Sequence, residues 1–208
     1  MAGPLVLSGE QAPILDAAIS VMARRGYVES TESAIAEVAG IGEAELRRRV
    51  GDKAACMIAL YEAFSGHLFE VVANEIDLEA PPPGFVEVAA AAYLGALEDN
   101  VVVARLTMFE IDHLGRSGRN LRRRSAARFG ELFHHRHALE RRIRPSLGEL
   151  PDQTYLAILF ATRELAAAVL DSDDPTPQLR PLAKTVGLWV RAMISGAQSE
   201  EFGAAHRP

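Results

Sequence analysis

The sequence contains little that would support covalent or redox chemistry. One cysteine, Cys56, is present in 208 residues, so no internal disulfide can form. Its neighbours are apolar, which favours a buried, unreactive thiol over a redox sensor. The sequence has no glycine-rich phosphate loop, no G-x-S-x-G nucleophile motif and no spaced Cys/His ligand set. We therefore expect a protein that is not an enzyme and that requires no cofactor.

Long hydrophobic runs are also missing. No apolar run approaches the ~20 residues of a membrane span, and the first dozen residues lack the basic start and apolar run of a signal peptide. These absences predict a cytoplasmic protein without a membrane partner. Positive charge is scarce as well: the formal net charge is -6, and the first 53 residues contain six basic and eight acidic side chains. This balance is unfavourable for a nucleic-acid binder, which needs lysine and arginine to neutralise phosphates.

The segment 31–53, TESAIAEVAGIGEAELRRRVGDK, nevertheless has the pattern of a helix-turn-helix. Gly40 suits a helix end with positive φ, and Ile41 can fill the space between two crossing helices. The second helix would carry Arg47, Arg48 and Arg49. Apolar residues recur at helical spacing on each side of the turn: Ile35, Ala36 and Ala39 before it, Leu46 and Val50 after it.

Residues 14–62 resemble the DNA-binding domain of the tetracycline-repressor (TetR) family. The shared features are an opening helix with an aromatic after glycine, a threonine-containing entry, an Ile-Ala pair, a small-residue turn and a lysine at the next helix start. They are present here as ILDAAISVMARRGY, Ser30-Thr31, Ile35-Ala36, Ala39-Gly40-Ile41 and Asp52-Lys53. The resemblance implies an all-α fold with an N-terminal three-helix helix-turn-helix domain, residues 1–52. A larger helical effector-binding and dimerisation domain, residues 53–208, would follow it.

The resemblance also implies which residues contact DNA. Arg48 could bridge guanine O6 and N7, whereas Lys53 would contact a phosphate. Glu43 and Glu45 begin the second helix, where carboxylates repel phosphate but can accept a hydrogen bond from cytosine N4. The alternative for the arginine run is a solvated helix face. The full predicted set is Ser30, Thr31, Gly42, Glu43, Glu45, Arg47, Arg48 and Lys53.

The rest of the chain is predicted to be helical. After a long helix to about residue 76 and a proline-rich break at 80–84, the pattern predicts helices at about 84–99, 101–114, 119–143, 151–171 and 178–197. The last two carry wide apolar faces. The resemblance implies that they form a four-helix interface in a homodimer, and the alternative is an intramolecular core.

Six residues cluster on the segments that surround the effector cavity in the TetR family: Tyr93, Met108, Phe109, His113, Phe129 and Phe133. A mostly apolar pocket with one or two polar groups would suit a small hydrophobic effector. Aromatic residues at helical spacing also occur in an ordinary core, so that alternative stays open.

Two Glu-x-x-His motifs, starting at Glu110 and Glu131, are of the kind that bind paired metal ions in helical bundles. In a hairpin between them, their axial offset would be roughly 10 Å, so the motifs would not converge. We therefore predict no metal site. A solvated helix face is expected for His134, His135 and His137.

The sequence thus predicts a ligand-responsive transcriptional regulator that binds a double-stranded DNA operator as a homodimer, most simply a repressor released by a small hydrophobic effector. The alternative is a diverged helical dimer of the same fold that has lost DNA binding and binds a small molecule or a protein partner. The acidic start of the second helix in the motif keeps this alternative open.

Overall fold

The computed structural model describes residues 3–76, 85–145 and 147–204. This part of the chain contains helices and no strand, as the sequence predicts. The predicted break at 80–84 lies outside the described residues. The helices are α1 (Ala12–Glu29), α2 (Glu32–Ala39), α3 (Glu43–Arg49), α4 (Lys53–Glu75), α5 (Phe85–Glu98), α6 (Val101–Phe109), α7 (Arg116–Ile143), α8 (Asp152–Leu170) and α9 (Thr176–Ala204), with a 3-10 turn at Glu110–Leu114.

Two compact units divide the chain. The head unit comprises Gly3–Leu68 and Asp99–Arg124, and the body unit comprises Phe69–Glu98 and Ser125–Pro208. The head unit therefore contains α1 to α3, most of α4, all of α6, the 3-10 turn and the start of α7. The boundary between a DNA-binding domain at 1–52 and an effector-binding and dimerisation domain at 53–208 stays a prediction.

The core of the head unit is formed in part by apolar residues of α1, α2 and α3. Three further residues come from much later in the chain: Leu106 from α6, Ile111 from the 3-10 turn and Leu121 from α7. Helix α1 packs against α2, α6 and the 3-10 turn. The core therefore includes positions that the local pattern of the first 53 residues cannot reveal. Its buried N-terminal members are Ile14, Leu15, Ala18, Val21, Met22, Ile35, Ala36 and Leu46.

Helix α1 changes direction at Gly26 without ending there. Gly26 has φ 72° and ψ 167°, which interrupts the helix, but one more helical turn continues to Glu29. A residue with a side chain is strained at this φ, so glycine allows the change of direction. The Ser30 hydroxyl then donates to the Gly26 carbonyl oxygen at 2.6 Å.

Helix α4 is long and apolar enough, by length and composition, to cross a membrane, and it is the one such helix among the described residues. Core helices of globular proteins satisfy the same criteria. Cys56, Met57, Leu60 and Phe64 along this helix are buried in the folded chain. These four residues form a buried face of α4 in the head unit.

In the body unit, α9 packs against α5 and α8. Two ion pairs connect α5 to α9: Glu98 to Arg180 at 2.5 Å and Glu87 to Arg191 at 2.7 Å.

In the head unit, α7 begins at Arg116 rather than at 119, so Gly118 lies inside the helix. A Cβ added at Gly118 would overlap the Ile111 carbonyl oxygen of the 3-10 turn. This close approach of two backbone segments requires glycine.

Candidate nucleic-acid interface

The turn between α2 and α3 has the geometry that the sequence predicts. Gly40 adopts φ 70° and ψ 27°, and the Ile41 N–H donates to the Ala36 carbonyl oxygen at 3.0 Å. This hydrogen bond, together with that from the Gly40 N–H to the Glu37 carbonyl oxygen, closes the end of α2. Ile41 packs against the head core. The two helices therefore form a helix-turn-helix.

Side chains cap the helices on either side of this turn. The Ala34 N–H donates to Thr31 Oγ1 at 3.1 Å, so Thr31 caps α2. The Ala55 N–H donates to Asp52 Oδ1 at 2.7 Å, so Asp52 caps α4. Gly42 precedes α3 without a side-chain cap, and α3 has Glu43 and Glu45 in its first turn instead. Carboxylates at this end interact favourably with the helix dipole.

Helix α3 has one buried side chain and an exposed arginine run. Leu46 is fully buried in the head core, whereas Glu43, Arg47, Arg48 and Arg49 are exposed. The side chains of Arg47 and Arg48 are 64% and 69% exposed. A single anchor on the inner face thus leaves the outer face of α3 available to a partner.

All three arginines of this run pair with carboxylates inside the head unit. Arg47 Nε lies 2.7 Å from Glu32 Oε2. Glu45 Oε1 accepts hydrogen bonds from Arg48 Nη2 at 2.9 Å and from Arg49 Nε at 2.6 Å. The hydrogen bonds from Arg48 and Arg49 lower the pKa of Glu45, and the one to Glu32 raises the pKa of Arg47. A phosphate that approaches α3 must compete with Glu32 and Glu45.

Lys53, the predicted phosphate contact, is hydrogen-bonded within the head unit. Its ammonium group donates to the carbonyl oxygens of Tyr27 at 2.7 Å, Val28 at 3.2 Å and Ser30 at 2.8 Å. It also lies 4.4 Å from the centre of the Tyr27 ring. An ammonium group has three donors, so Lys53 satisfies the last carbonyls of α1 with all of them.

Tyr27 also contacts the 3-10 turn after α6. The Tyr27 N–H donates to Glu110 Oε2 at 2.8 Å, and the His113 ring stacks on the Tyr27 ring with centroids 6.0 Å apart. Burial raises the pKa of the Tyr27 hydroxyl, with a further contribution from Asp52. Tyr27 therefore connects Lys53, beside the helix-turn-helix, with the segment that follows α6.

A surface groove of about 390 Å³ lies at the start of α2. Five of the eight residues predicted to bind DNA line it. Ser30 is buried with its hydroxyl hydrogen-bonded to Gly26, whereas Thr31 is exposed. Gly42, Glu45 and Arg48 are not part of the lining. The lining residues are Ser30, Thr31, Glu32, Ser33, Glu43, Arg47 and Lys53.

The six predicted effector residues are divided between the two units. Tyr93, Phe129 and Phe133 lie in the body unit, where Phe129 is 6.4 Å from the rings of both Tyr93 and Phe133. Phe69 and Phe85 extend this aromatic cluster, at 5.4 Å from Phe129 and 6.4 Å from Phe133. In the head unit, Met108 is buried, Phe109 is exposed, and His113 contacts Tyr27. Phe69 and Phe85 are not among the effector residues predicted from the sequence.

The histidine run on α7 is not uniformly solvated. His134 and His135 are exposed, but His137 is buried, so the prediction was wrong for His137. Helix α8 packs there, and His137 Nδ1 lies 2.6 Å from the Tyr155 hydroxyl. Burial lowers the pKa of His137 and raises that of Tyr155 to about 12.

The two Glu-x-x-His motifs lie in different units, Glu110 in the head and Glu131 in the body. Among the described residues, no group of three or more His, Cys, Asp or Glu side chains could hold a metal ion. Cys56 is fully buried, and burial raises its pKa to about 11. This thiol therefore remains protonated at neutral pH, which matches the unreactive cysteine expected from the sequence.

Comparison with known proteins identifies the fold. No protein-family model and no curated protein matches the sequence. Solved structures do match. The regulator FadR from Bacillus subtilis, in complex with stearoyl-CoA, has a TM-score of 0.73 at 19% identity, over 88% of this chain and 97% of that one. The fatty acid degradation regulator FadR from Bacillus halodurans has a TM-score of 0.70 at 17% identity, over 86% and 96%.

A third structure extends the similarity beyond FadR. The TetR-family regulator PfmR from Thermus thermophilus has a TM-score of 0.63 at 17% identity, over 88% of this chain and 97% of that one. The sequence motif in residues 14–62 and the helix-turn-helix geometry point to the same architecture. The chain therefore has the fold of the TetR-family transcriptional regulators.

Proposed function

We propose that the protein is a ligand-responsive transcriptional regulator that binds duplex DNA through α2 and α3. The observation that carries this proposal is the exposed outer face of α3, with Arg47 and Arg48 next to a helix-turn-helix turn in a TetR fold. A recognition helix of this kind enters the major groove. The protein would act in the cytoplasm, and no catalytic role is proposed.

Arg48 is the proposed base-reading residue. One of its terminal nitrogens is paired with Glu45, which leaves other N–H donors of the guanidinium for guanine O6 and N7. Glu45 holds the guanidinium at a fixed position on α3. Glu43, which is exposed at the start of the helix, would accept a hydrogen bond from cytosine N4.

We propose that the protein acts as a homodimer through α8 and α9. Three large apolar side chains on these helices are exposed in the single chain: Phe160 at 40%, Leu165 at 41% and Leu188 at 62%. Burial of such side chains against a second copy would remove apolar surface from water. A dimer would also place two heads on paired half-sites. Ile194, in the predicted interface at 178–197, lies outside the described side chains.

The proposed effector is a small hydrophobic molecule held by the aromatic cluster of the body unit, Phe69, Tyr93, Phe85, Phe129 and Phe133. The Bacillus subtilis FadR structure contains stearoyl-CoA, which supports an effector with an apolar part. Effector binding would favour a dimer conformation with lower operator affinity, so that the complex dissociates. Met108, Phe109 and His113 remain predicted effector contacts.

A second function has specific support. Because Glu32 and Glu45 pair with the arginines of α3, and the ammonium of Lys53 donates to three carbonyls, the head could have lost affinity for phosphate. The protein would then be a helical dimer that binds a small molecule or a protein partner through the body. The two functions differ in whether duplex DNA binds at all.

A gel-shift titration distinguishes them. The duplex is the promoter region flanking the protein's own gene, with a random-sequence duplex of equal length as the control, each at low and high salt. A regulator binds the promoter fragment more tightly at both salt concentrations, and Arg48→Ala reduces that preference. Equal, weak binding to both duplexes, or none at low salt, would support the second function.

A further inference from the structure

Helix α7 has a row of arginines on one face in its first half. Arg116, Arg119 and Arg123 are separated by three and four residues, so they lie along the same side of the helix. All three are exposed, and all belong to the head unit. We call these three residues the arginine face.

The other arginines in this part of α7 have partners. Arg122 Nη1 lies 3.0 Å from Asp112 Oδ1, and Arg124 Nη2 lies 3.6 Å from Glu62 Oε1. Arg128, in the body unit, is positioned 3.7 Å from the centre of the Phe69 ring. Throughout the described part of the chain, no carboxylate or ring is paired with Arg116, Arg119 or Arg123. The arginine face is therefore exposed, and no described side chain neutralises it.

This arrangement is electrostatically unfavourable in the isolated chain. Like charges three and four residues apart on a helix repel each other. Cations near a helix N-terminus also oppose the helix dipole, and the first turn of α7 has no acidic residue. A polyanion would relieve both effects. Association with a negatively charged partner is consequently more favourable here than at an arginine that already has a carboxylate.

The distribution of charge in the head unit also favours a negatively charged partner for α7. Residues 3–68 contain six basic and nine acidic side chains, whereas residues 99–124 contain six basic and three acidic ones. The segment with the helix-turn-helix is thus net negative, and its three α3 arginines are paired. Within the described residues of the head unit, exposed arginines without a paired carboxylate are Arg24 and Arg25 of α1 and the three of α7, and those of α7 share one helix face on which they can neutralise phosphates.

We propose that the arginine face binds DNA phosphates next to the operator, without sequence preference, while α3 reads bases. This inference rests on the proposed function, because it assumes that the head unit approaches duplex DNA. The face extends over about 10 Å along the helix axis from Arg116 to Arg123. A partner with closely spaced charges, such as a duplex with one phosphate per ~1.7 Å of axis, can contact all three.

The test measures salt dependence with the full-length protein. Dissociation constants are determined on the promoter fragment and on a random-sequence duplex between about 50 and 200 mM salt. Arg116→Ala/Arg119→Ala/Arg123→Ala should reduce the slope of log affinity against log salt on both duplexes by about 2.7 for each protomer whose arginine face contacts the DNA. Over that range, wild-type affinity should therefore fall about 40-fold more than that of the variant for each contacting protomer.

Two control variants make the test specific. Arg116→Lys/Arg119→Lys/Arg123→Lys keeps the charges and should retain most of the wild-type slope. Arg142→Ala removes an exposed charge from the body unit outside α8 and α9 and should leave the slope unchanged. All four proteins should have the same helical circular dichroism, because every substituted side chain is exposed.

The outcomes separate this inference from the proposed function. An unchanged slope in the alanine variant, with preference for the promoter retained, would overturn the inference and leave the function intact. A reduced slope on the random duplex, without promoter preference in any protein, would support phosphate binding and contradict the regulator. Equal slope losses in the alanine variant and the body-unit control would show a general charge effect and overturn the inference.

Discussion

Glu110 accepts a hydrogen bond from the backbone N–H of Tyr27 at 2.8 Å, across 83 residues of sequence. This bond joins the 3-10 turn after α6 to the last turn of α1 within the head unit. Lys53 also contacts Tyr27, through the Tyr27 carbonyl oxygen and ring. The position of the helix-turn-helix therefore depends on a residue far outside the predicted DNA-binding domain.

Glu110→Gln should destabilise the protein. The substitution removes the charge from a partly buried hydrogen bond, and hydrogen bonds to charged groups contribute about 1.5–3 kcal/mol. We expect a loss of about 1–2 kcal/mol in the free energy of unfolding, measured by urea denaturation. Glu131→Gln is the matched control, because Glu131 is exposed on α7. A loss of similar size in both variants would contradict the role of Glu110.

Arg48→Ala and Lys53→Ala should affect DNA binding differently. Loss of a bidentate guanine contact should cost about 1–3 kcal/mol at one base position, so Arg48→Ala should relax specificity there. Lys53→Ala should weaken binding to all sequences alike, and it should also lower the melting temperature because three carbonyls lose their donor. A panel of single-base operator variants measures the first effect, and thermal denaturation the second. Small, equal losses on every sequence for both variants would contradict this assignment.

Glu45→Gln should increase affinity for random-sequence DNA. Glu45 neutralises Arg48 and Arg49, so loss of its charge makes both guanidinium groups available to phosphates. The salt slope should become steeper by about 1–2. Glu37→Gln, an exposed carboxylate of α2, makes the same change in net charge and is the control. If Glu37→Gln gives an equal increase, the ion pairs of Glu45 are not the cause.

The buried imidazole of His137 should cause the free energy of unfolding to decrease in weak acid. Burial lowers its pKa in the folded state below the ordinary value of 6.5, so the unfolded chain binds the proton more readily. Stability from this group is therefore present above pH 6.5 and is lost as the pH falls below that value. Urea denaturation across this range should show a decline that is smaller in His137→Gln and unchanged in His135→Gln.

The contact with Tyr155 gives a second test of the same residue. Tyr155 retains its proton at neutral pH because its pKa is about 12, and its hydroxyl shares a hydrogen bond of 2.6 Å with His137 Nδ1. Tyr155→Phe would remove the hydrogen-bond partner of that nitrogen, at a cost of about 0.5–1.5 kcal/mol near neutral pH. No change in stability would show that the hydrogen bond contributes nothing.

Local features of the head were predictable because their causes lie within a few residues. Helical spacing placed Ile35 and Leu46 in the core, and both are fully buried. The positive φ of Gly40 follows from the small-residue turn, and the cap by Asp52 from its place before an apolar helix. Each of these inferences needs only the neighbouring sequence.

Other features depend on residues that are distant in the chain. His134, His135 and His137 belong to one polar run on α7, but of the three only His137 is buried, in contact with Tyr155 of α8. Ile111 completes the head core from the 3-10 turn. The local sequence around residues 35 and 53 does not indicate which later segment of the chain packs against them. The sequence therefore predicted the helices more accurately than their partners.

The amino-acid sequence by itself determined that the chain is helical, where the helix-turn-helix lies and which face of each head helix is apolar, since these follow from local periodicity and capping. Only the tertiary structure decided which charges are neutralised. It pairs the arginines of α3 with Glu32 and Glu45, directs Lys53 to three backbone carbonyls and leaves Arg116, Arg119 and Arg123 exposed. The physical reason is that ion pairing depends on distances of a few ångströms between side chains, and folding sets those distances.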